Sequence, residues 1–187
     1  MRLTKPRIAP LSDAELDADQ VEALKDFRPG PVLNIFRTLV RAPKALTRFN
    51  AWGGYVLSRR NDLPAREREI VILRTGYLCK SGYEFTQHTR IGLQTGLTAD
   101  EIEKIKRGAD AGWSAADAAL IRATDELHAD QFITDATWAE LGKHFTPKQC
   151  MDVVFTTGQY TQVSMMLNTF GVQLDEGQTL DPELKGY

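Results

Sequence analysis

Apolar residues recur at the three- and four-residue spacing of an α-helix along most of the chain. No segment alternates apolar and polar residues for long enough to predict a β-strand. N-capping residues, prolines and glycines divide the pattern into successive helices. After the first thirty residues, the predicted helices span 32–41, 43–58, 64–79, 82–95, 99–107, 114–132, 134–145 and 146–170. The pattern therefore predicts an all-α fold.

The first thirty residues are predicted to form an arm rather than a separate domain. Ser12-Asp13-Ala14-Glu15 has the pattern of a capping box, in which a serine and the third residue after it bond to each other's backbone N–H groups. Residues 12–27 are therefore expected to contain one or two helical turns, closed by Arg28-Pro29-Gly30-Pro31. The predicted organisation is an N-terminal arm at 1–30, a helical domain at 31–175 and a loose polar tail at 176–187.

The segment 64–79 is apolar on almost every side from Ile70 to Leu78, which is typical of a buried helix. Arg74 lies within that run, so it is either the buried partner of a carboxylate or an arginine whose charged end reaches solvent. A second helix at 82–95 follows the short break Lys80-Ser81-Gly82. We expect these two helices to be central to the fold.

Composition is that of an ordinary soluble globular protein, with 42% hydrophobic and 26% charged residues. The formal net charge of −2 lacks the basic excess of a phosphate-binding surface. No apolar run follows the basic N-terminal residues, and the longest aliphatic run, Ile70–Leu73, is too short to span a bilayer. We therefore expect a cytoplasmic protein without a nucleic-acid or membrane partner.

Three ionisable residues around the break are candidates for chemistry. Glu84 and His88 are four residues apart, so their side chains share one face of a helix. Glu69 leads directly into the apolar run, where a buried carboxylate would suit proton transfer. A structural alternative is also open, and the pattern alone favours it, because Ser81-Gly82-Tyr83-Glu84 also has the pattern of a capping box. In that case Glu84 bonds only to the backbone and His88 is a surface histidine.

The spacing of these residues resembles the core motif of the carboxymuconolactone decarboxylase and alkylhydroperoxidase-D superfamily. In its peroxidase branch, a Glu is followed by eleven residues and then by Cys-x-x-Cys-x-x-x-His; here Ser81 and Glu84 stand at the two cysteine positions. The resemblance covers residues 30–175 and is most specific over 63–96. It implies an alkylhydroperoxidase-D-like helical domain with a central antiparallel helix pair, and assembly as a homo-oligomer (dimer, trimer or hexamer).

The two missing cysteines determine which chemistry the resemblance implies. A disulfide-cycling peroxidase needs a thiolate and a second thiol that resolves the sulfenic acid. By contrast, Glu84 and His88 followed by Arg90 are similar to the decarboxylase branch. The resemblance thus implies a cofactor-independent lyase that uses general acid/base chemistry. Its expected substrate is a small unsaturated carboxylic acid or lactone of aromatic-compound catabolism.

In such a lyase His88 is the expected proton donor, because imidazole ionises near neutral pH. Glu84 would orient His88, and Glu69 would act as a partner acid or relay. The spaced His or Cys pairs of common metal sites are absent from the sequence, so neither a metal nor another cofactor is expected. Residues expected to contact the substrate are Tyr83, Arg90, Arg66, Tyr160 and His128.

Some of these assignments have structural alternatives. His128 lies at the edge of an apolar stripe, where a partly buried histidine with satisfied hydrogen bonds is the simpler interpretation. Tyr160 and its neighbour Gln159 break the apolar pattern of the last helix, so they either line a pocket or form an interhelical hydrogen bond.

Two other functions are consistent with the same residues. The first is an antioxidant peroxidase of the alkylhydroperoxidase type that uses Cys79 alone and an external reductant. Cys79 lies two residues before the first cysteine position of the motif, and its structural interpretation is a small buried side chain. The second is a non-catalytic helical scaffold in which the motif serves only as helix capping.

Overall fold

The computed structural model describes residues 1–27 and 30–186. Within these ranges the chain forms α-helices and short 3₁₀ turns, and no strand, which confirms the predicted all-α fold. The 3₁₀ turns are Asp13–Glu15, Lys25–Phe27 and Pro182–Leu184. The α-helices are α1 (Ala18–Ala23), α2 (Asn34–Leu39), α3 (Pro43–Leu57), α4 (Ala65–Leu78), α5 (Gly82–Gln94), α6 (Ala99–Arg107), α7 (Ala115–Asp130), α8 (Asp135–His144) and α9 (Pro147–Phe170).

The N-terminal arm packs against α2 and α3. The predicted capping box of Ser12 and Glu15 forms, but it begins only a 3₁₀ turn, whereas α1 has its own capping box from Asp17 to Gln20. Of the predicted closing turn, residues 28 and 29 lie outside the described residues. The arm shares one apolar cluster with the two helices, formed by Leu11, Leu24, Val32, Val40 and Leu46.

Helix α4 is the centre of the fold and packs against α5, α7 and α9. Its residues Ile70–Leu73 are completely buried, as the continuous apolar run predicts. Arg74 is also buried and donates to Asp125 Oδ1 (2.5 Å) and to the carbonyl oxygens of Ile105 and Lys106 (2.8 and 3.0 Å). Of the two alternatives for Arg74, the structure therefore shows the buried partner of a carboxylate.

The connection between α4 and α5 is a Schellman motif. The N–H of Ser81 donates to the carbonyl of Gly76 (2.8 Å), and the N–H of Lys80 donates to the carbonyl of Tyr77 (2.9 Å). Lys80 has a left-handed backbone with φ of 54°, a conformation more often given to glycine at this position. This turn reverses the chain in three residues, so α5 runs back along α4 as an antiparallel partner.

Ten of the 24 residues of helix α9 are buried, because the helix packs against α3, α4 and α7. Its remaining face exposes Met151, Val154 and Met165 to solvent. Among the described residues, no helix is both long enough and apolar enough to cross a bilayer.

Candidate active site

Glu69, Glu84 and His88 meet in the interior between α4 and α5. The His88 imidazole lies between the two carboxylates, with Nδ1 2.6 Å from Glu69 Oε2 and Nε2 3.0 Å from Glu84 Oε1. The three residues are only 1%, 4% and 6% exposed for Glu69, Glu84 and His88. We call this group the Glu–His–Glu triad. Its members are the three residues whose spacing resembles the superfamily motif.

The antiparallel register of α4 and α5 explains why the triad forms. Glu84 and His88 are one helical turn apart on α5, and Glu69 faces them from α4. Nearer the turn, Gly76 of α4 lies against Glu84: a Cβ placed at Gly76 would be 3.5 Å from Glu84 Cγ. The small glycine thus lets the two helices approach closely at the point where a carboxylate must fit between them.

The predicted capping box at Ser81 is wrong. The Ser81 side chain makes no capping hydrogen bond, and its backbone N–H is already used in the Schellman motif with Gly76. Glu84 therefore turns away from the backbone and bonds to His88 instead. The two observations that the scaffold hypothesis needs, a backbone-bonded Glu84 and a solvent-facing His88, are both absent from the described structure.

The triad holds one proton more than a neutral imidazole and two ionised carboxylates would. A neutral imidazole has one N–H donor and one acceptor, so it cannot donate to two carboxylates at once. Burial disfavours the charged imidazole, but the negative charges of Glu69 and Glu84 outweigh it and raise the pKa of His88 to about 10. An acidic proton is thus retained in a dry site at neutral pH.

Tyr160 of α9 closes the site on one side. Its ring meets the His88 imidazole edge-on, with 4.9 Å between the ring centroids and an interplanar angle of 83°. Burial raises the pKa of the Tyr160 hydroxyl well above its ordinary value, and the Glu84 and Glu69 charges raise it further. The phenol therefore stays neutral next to the triad. Of the predicted substrate-contacting residues, Tyr160 is the one that the structure brings into contact with His88.

Arg68 is a residue near the site that the sequence analysis missed. Arg68 directly precedes Glu69 on α4, and its positive charge partly offsets the rise in the pKa of Tyr160. Nη1 lies 3.4 Å from the Ser58 carbonyl oxygen and 3.5 Å from that of Leu63, and within the described ranges Nε has no hydrogen-bond partner. In the sequence Arg68 is one of several charges in an ordinary first helical turn, so only the tertiary structure distinguishes it.

Tyr83 does not reach the triad, although it precedes Glu84 in the sequence. Its hydroxyl donates to Asp175 Oδ2 (2.6 Å), and Gln87 Nε2 donates to the same oxygen (2.7 Å). Burial and the Asp175 carboxylate raise the pKa of Tyr83. The predicted role as a donor to a substrate carbonyl is thus replaced by a bond that ties α5 to the segment after α9.

Arg66 and Arg90 are not placed to hold a substrate carboxylate beside His88. The Arg66 guanidinium is bound by both oxygens of Asp117 (3.0 and 3.1 Å) and by Glu101. Binding a substrate there would break ion pairs that join α4 to α6 and α7. Arg90 is exposed and lies on the far side of α5, because residues two apart on a helix point in nearly opposite directions.

His128 lies apart from the triad and next to the thiol of Cys79. Its Nδ1 is 3.7 Å from Cys79 Sγ, and both residues are partly buried. Burial raises the pKa of the Cys79 thiol. The partly buried histidine anticipated from the apolar stripe is thus observed, with a thiol as its neighbour. Because Cys79 and His128 are far apart in sequence, no local pattern predicts this contact.

Among residues 1–27 and 30–186, no group of three or more His, Cys, Asp and Glu side chains is arranged to hold a metal ion. In the triad itself, both imidazole nitrogens of His88 are already hydrogen-bonded to carboxylates.

Comparison with known proteins gives the same superfamily as the motif. The model of the carboxymuconolactone decarboxylase family matches residues 43–126, a range that runs from α3 into α7 and contains the whole triad. The alkylhydroperoxidase AhpD core of a peroxidase-related protein from Ralstonia eutropha superposes with a TM-score of 0.80 at 20% identity, covering 91% of this chain and 93% of that one. Residues 43–126 thus match the carboxymuconolactone decarboxylase family, and the fold is that of the alkylhydroperoxidase AhpD core.

Other solved structures share the fold at low sequence identity. A peroxidase-related protein from Silicibacter sp. has a TM-score of 0.76 at 18% identity, with 98% of each chain covered. The debrominase Bmp8, solved in complex with 2,3,4-tribromopyrrole, has a TM-score of 0.71 at 9% identity, covering 92% of this chain and 94% of that one. A search of curated protein sequences found no match. These neighbours identify the fold of the chain but not its reaction.

We predict that the triad makes the free energy of unfolding decrease as the pH rises into the alkaline range. The folded-state pKa of His88 lies above the ordinary value of 6.5. The folded protein therefore keeps a proton that the unfolded chain loses as the pH rises above 6.5. The stabilisation is complete below that pH, falls by about 1.4 kcal/mol per pH unit above it, and is lost once His88 itself deprotonates near 10.

Urea unfolding at a series of pH values measures this effect. The reference is a variant with a neutral triad, Glu69→Gln, His88→Asn and Glu84→Gln, in which none of the three positions titrates. The stability difference between the wild type and this reference should decrease between neutral pH and pH 10. A difference that stays constant or grows over this interval contradicts the assigned charge state.

Proposed function

We propose that the protein is a cofactor-independent lyase that decarboxylates a small unsaturated carboxylic acid or lactone of aromatic-compound catabolism, acting in the cytoplasm. The observation that carries the proposal is the buried Glu–His–Glu triad. It supplies an acidic proton in a site from which bulk water is excluded, and its Glu84 stands at the second of the two cysteine positions in the motif of the peroxidase branch. A group built this way suits proton transfer rather than disulfide exchange.

The reaction needs a proton at the carbon that loses its carboxylate. As the carbon–carbon bond breaks, its electron pair moves into the conjugated carbonyl of the substrate, carbon dioxide leaves, and an enolate remains. Protonation of the former carboxyl-bearing carbon completes the reaction, so that the substrate carboxylate and one proton give carbon dioxide and the product. The acid must therefore donate once in each turnover and then recover its proton from water.

Each triad member has a distinct part in this proposal. His88 is the proton store, because the two neighbouring carboxylates keep it charged at neutral pH. Glu84 passes the proton to the substrate, since it lies on Nε2 and occupies the second cysteine position of the motif. Glu69 holds Nδ1 and fixes the orientation of the ring. This division follows the ordinary logic of general acid catalysis by an oriented imidazole.

Tyr160 and Arg68 are the groups that we propose for substrate contact beside the triad. The neutral Tyr160 phenol can donate to the carbonyl oxygen on which the enolate charge develops. The Arg68 guanidinium, with its unpaired Nε, is free to bind the carboxylate of a substrate. Since the triad is buried, substrate entry requires displacement of the Tyr160 side chain or of the segment around Arg68.

We expect conservative changes in the triad to abolish turnover. Purified protein is incubated with carboxymuconolactone, while carbon dioxide release and loss of the conjugated ultraviolet absorbance are followed. His88→Asn and Glu84→Gln should each lower the rate by about 100-fold or more, because proton transfer of this kind contributes that much to catalysis. His128→Asn, a partly buried histidine away from the triad, is the matched control and should retain the rate.

In deuterated water the product should carry one deuterium at the protonated carbon. The proposal fails if His88→Asn retains the wild-type rate. It also fails if the folded wild-type protein releases no carbon dioxide from carboxymuconolactone or from related unsaturated acids.

A second candidate function, a peroxidase based on Cys79, is favoured by the 3.7 Å contact between Cys79 Sγ and His128 Nδ1. Attack of the thiol on a hydroperoxide would give a sulfenic acid and an alcohol, with His128 accepting the thiol proton. Two equivalents of an external thiol would then restore Cys79 and release water and a disulfide. Burial opposes this reaction because it raises the pKa of the Cys79 thiol.

A trapping experiment separates the two functions. The protein is treated with tert-butyl hydroperoxide in the presence of dimedone, and the cysteine adducts are located by mass spectrometry. If the lyase proposal holds, Cys79 should remain unlabelled, as should the buried Cys150, which serves as the internal control. Labelling of Cys79 together with thiol-dependent hydroperoxide turnover that Cys79→Ser abolishes would instead establish the peroxidase.

We also propose that the protein forms a homo-oligomer: a dimer, trimer or hexamer. Support comes from large apolar side chains that are exposed after the end of α7, on α8 and on α9, namely Phe132, Trp138, Met151, Val154 and Met165. Met165→Lys should shift the sedimentation coefficient towards that of a monomer, whereas Leu57→Lys, at an exposed apolar residue of α3, should not. A wild-type protein that sediments as a monomer would contradict this proposal.

A further inference from the structure

A cavity of about 510 Å³ lies between α3 and α9, with the end of α2 at its edge. Most of its wall is apolar. The apolar lining residues are Leu39, Leu46, Phe49, Trp52, Met166 and Phe170. A cavity of this size falls within the range of small-molecule sites, which are also mainly apolar with a few polar groups.

One polar side chain of this cavity is buried without a partner. Gln159 is only 4% exposed, and its Oε1 has no hydrogen-bond partner within the described parts of the chain. The backbone of α3 approaches from the other side: a Cβ placed at Gly53 would be 3.5 Å from Gln159 Nε2. Buried amide oxygens are almost always hydrogen-bonded in folded proteins, so an unpaired one in a cavity wall indicates a place for a donor.

The other large cavity along α3 lacks this feature. It has a volume of about 550 Å³ and is lined mainly by charged and polar residues of α1 and α3, including Asp19, Glu22 and Lys44. All three of these residues are exposed, and such groups are satisfied by water. The combination of an apolar wall with a buried unpaired acceptor therefore distinguishes the cavity at Gln159.

We propose that this cavity binds a small aromatic molecule with one hydroxyl group, whose O–H donates to Gln159 Oε1. The ring would contact the aromatic and aliphatic wall, where Trp52 and Phe49 offer stacking surfaces. The hydroxyl would supply the partner that the buried amide lacks. The proposal does not depend on the proposed lyase activity, because it concerns binding at a site on the neighbouring face of α9.

Ligand-observed NMR with three simple probes tests the site. Phenol has the ring and the donor, anisole has the ring and an oxygen without a donor, and toluene has the ring alone. Wild-type protein should bind phenol about tenfold more tightly than anisole, which is the effect of one well-formed hydrogen bond to a buried acceptor. Phenol should also quench the fluorescence of Trp52, and Trp52→Phe should remove that response.

Two leucine variants on α9 locate the interaction. Gln159→Leu should remove the preference for phenol over anisole and leave toluene binding unchanged or tighter, since leucine has similar volume and no unpaired amide. Gln162→Leu is the matched control: Gln162 lines the same cavity but is exposed, so the preference should persist.

Three results would overturn the proposal. The first is equal binding of phenol and anisole by the wild type, and the second is a preference for phenol that survives Gln159→Leu. The third is dissociation of an oligomer upon addition of the probes, which would assign the groove to a second copy of the chain.

Discussion

The imidazolium of His88 between two buried carboxylates is the interaction on which the site depends. Placing three ionisable groups in an apolar interior carries a large desolvation cost, which mutual attraction offsets only if the geometry is close. The distances of 2.6 and 3.0 Å on the two nitrogens provide that geometry. Loss of any one member would leave an uncompensated charge or an unpaired donor, so the triad is a structural unit as well as a chemical one.

The surrounding fold can be understood as the frame for this group. The Schellman motif after α4 sets the direction of α5, and Gly76 allows the two helices to approach where Glu84 enters. The run Ile70–Leu73, which follows Glu69 on α4, is fully buried, and the Tyr160 ring of α9 packs against His88. Within this frame, Glu84 occupies a position at which the peroxidase-branch motif has a cysteine.

The sequence predicted the helices well, because their starts and ends are marked by local signals. Thr98 and Thr146 each form a capping box at the start of a helix, and no helix from α2 onward differs from its predicted bounds by more than two residues at either end. The meeting of Glu84 with His88 also follows from spacing on one helix. Glu69 reaches the other imidazole nitrogen only because α4 and α5 are antiparallel. The resemblance to the superfamily implied this pairing, whereas the local sequence pattern alone did not.

The failed predictions have a common physical cause, which is competition from partners distant in sequence. The capping pattern at Ser81 was locally reasonable, but the Schellman bond to Gly76 takes the backbone N–H that Glu84 would have used. Arg66 was predicted to bind a substrate carboxylate, but its guanidinium is already paired with Asp117 and Glu101. Likewise, Cys79 and His128 are 49 positions apart in the sequence, so no local pattern predicts their contact.

The most direct test of the central claim is the protonation state of His88, measured by ¹⁵N NMR of histidine-labelled protein. The resonances that disappear in His88→Asn identify the residue. The account predicts an imidazolium, with both nitrogens protonated and shifts that stay constant from about pH 6 to about pH 8, where an ordinary histidine titrates. A neutral single tautomer, or a midpoint near the ordinary histidine pKa, would contradict the triad as a proton store.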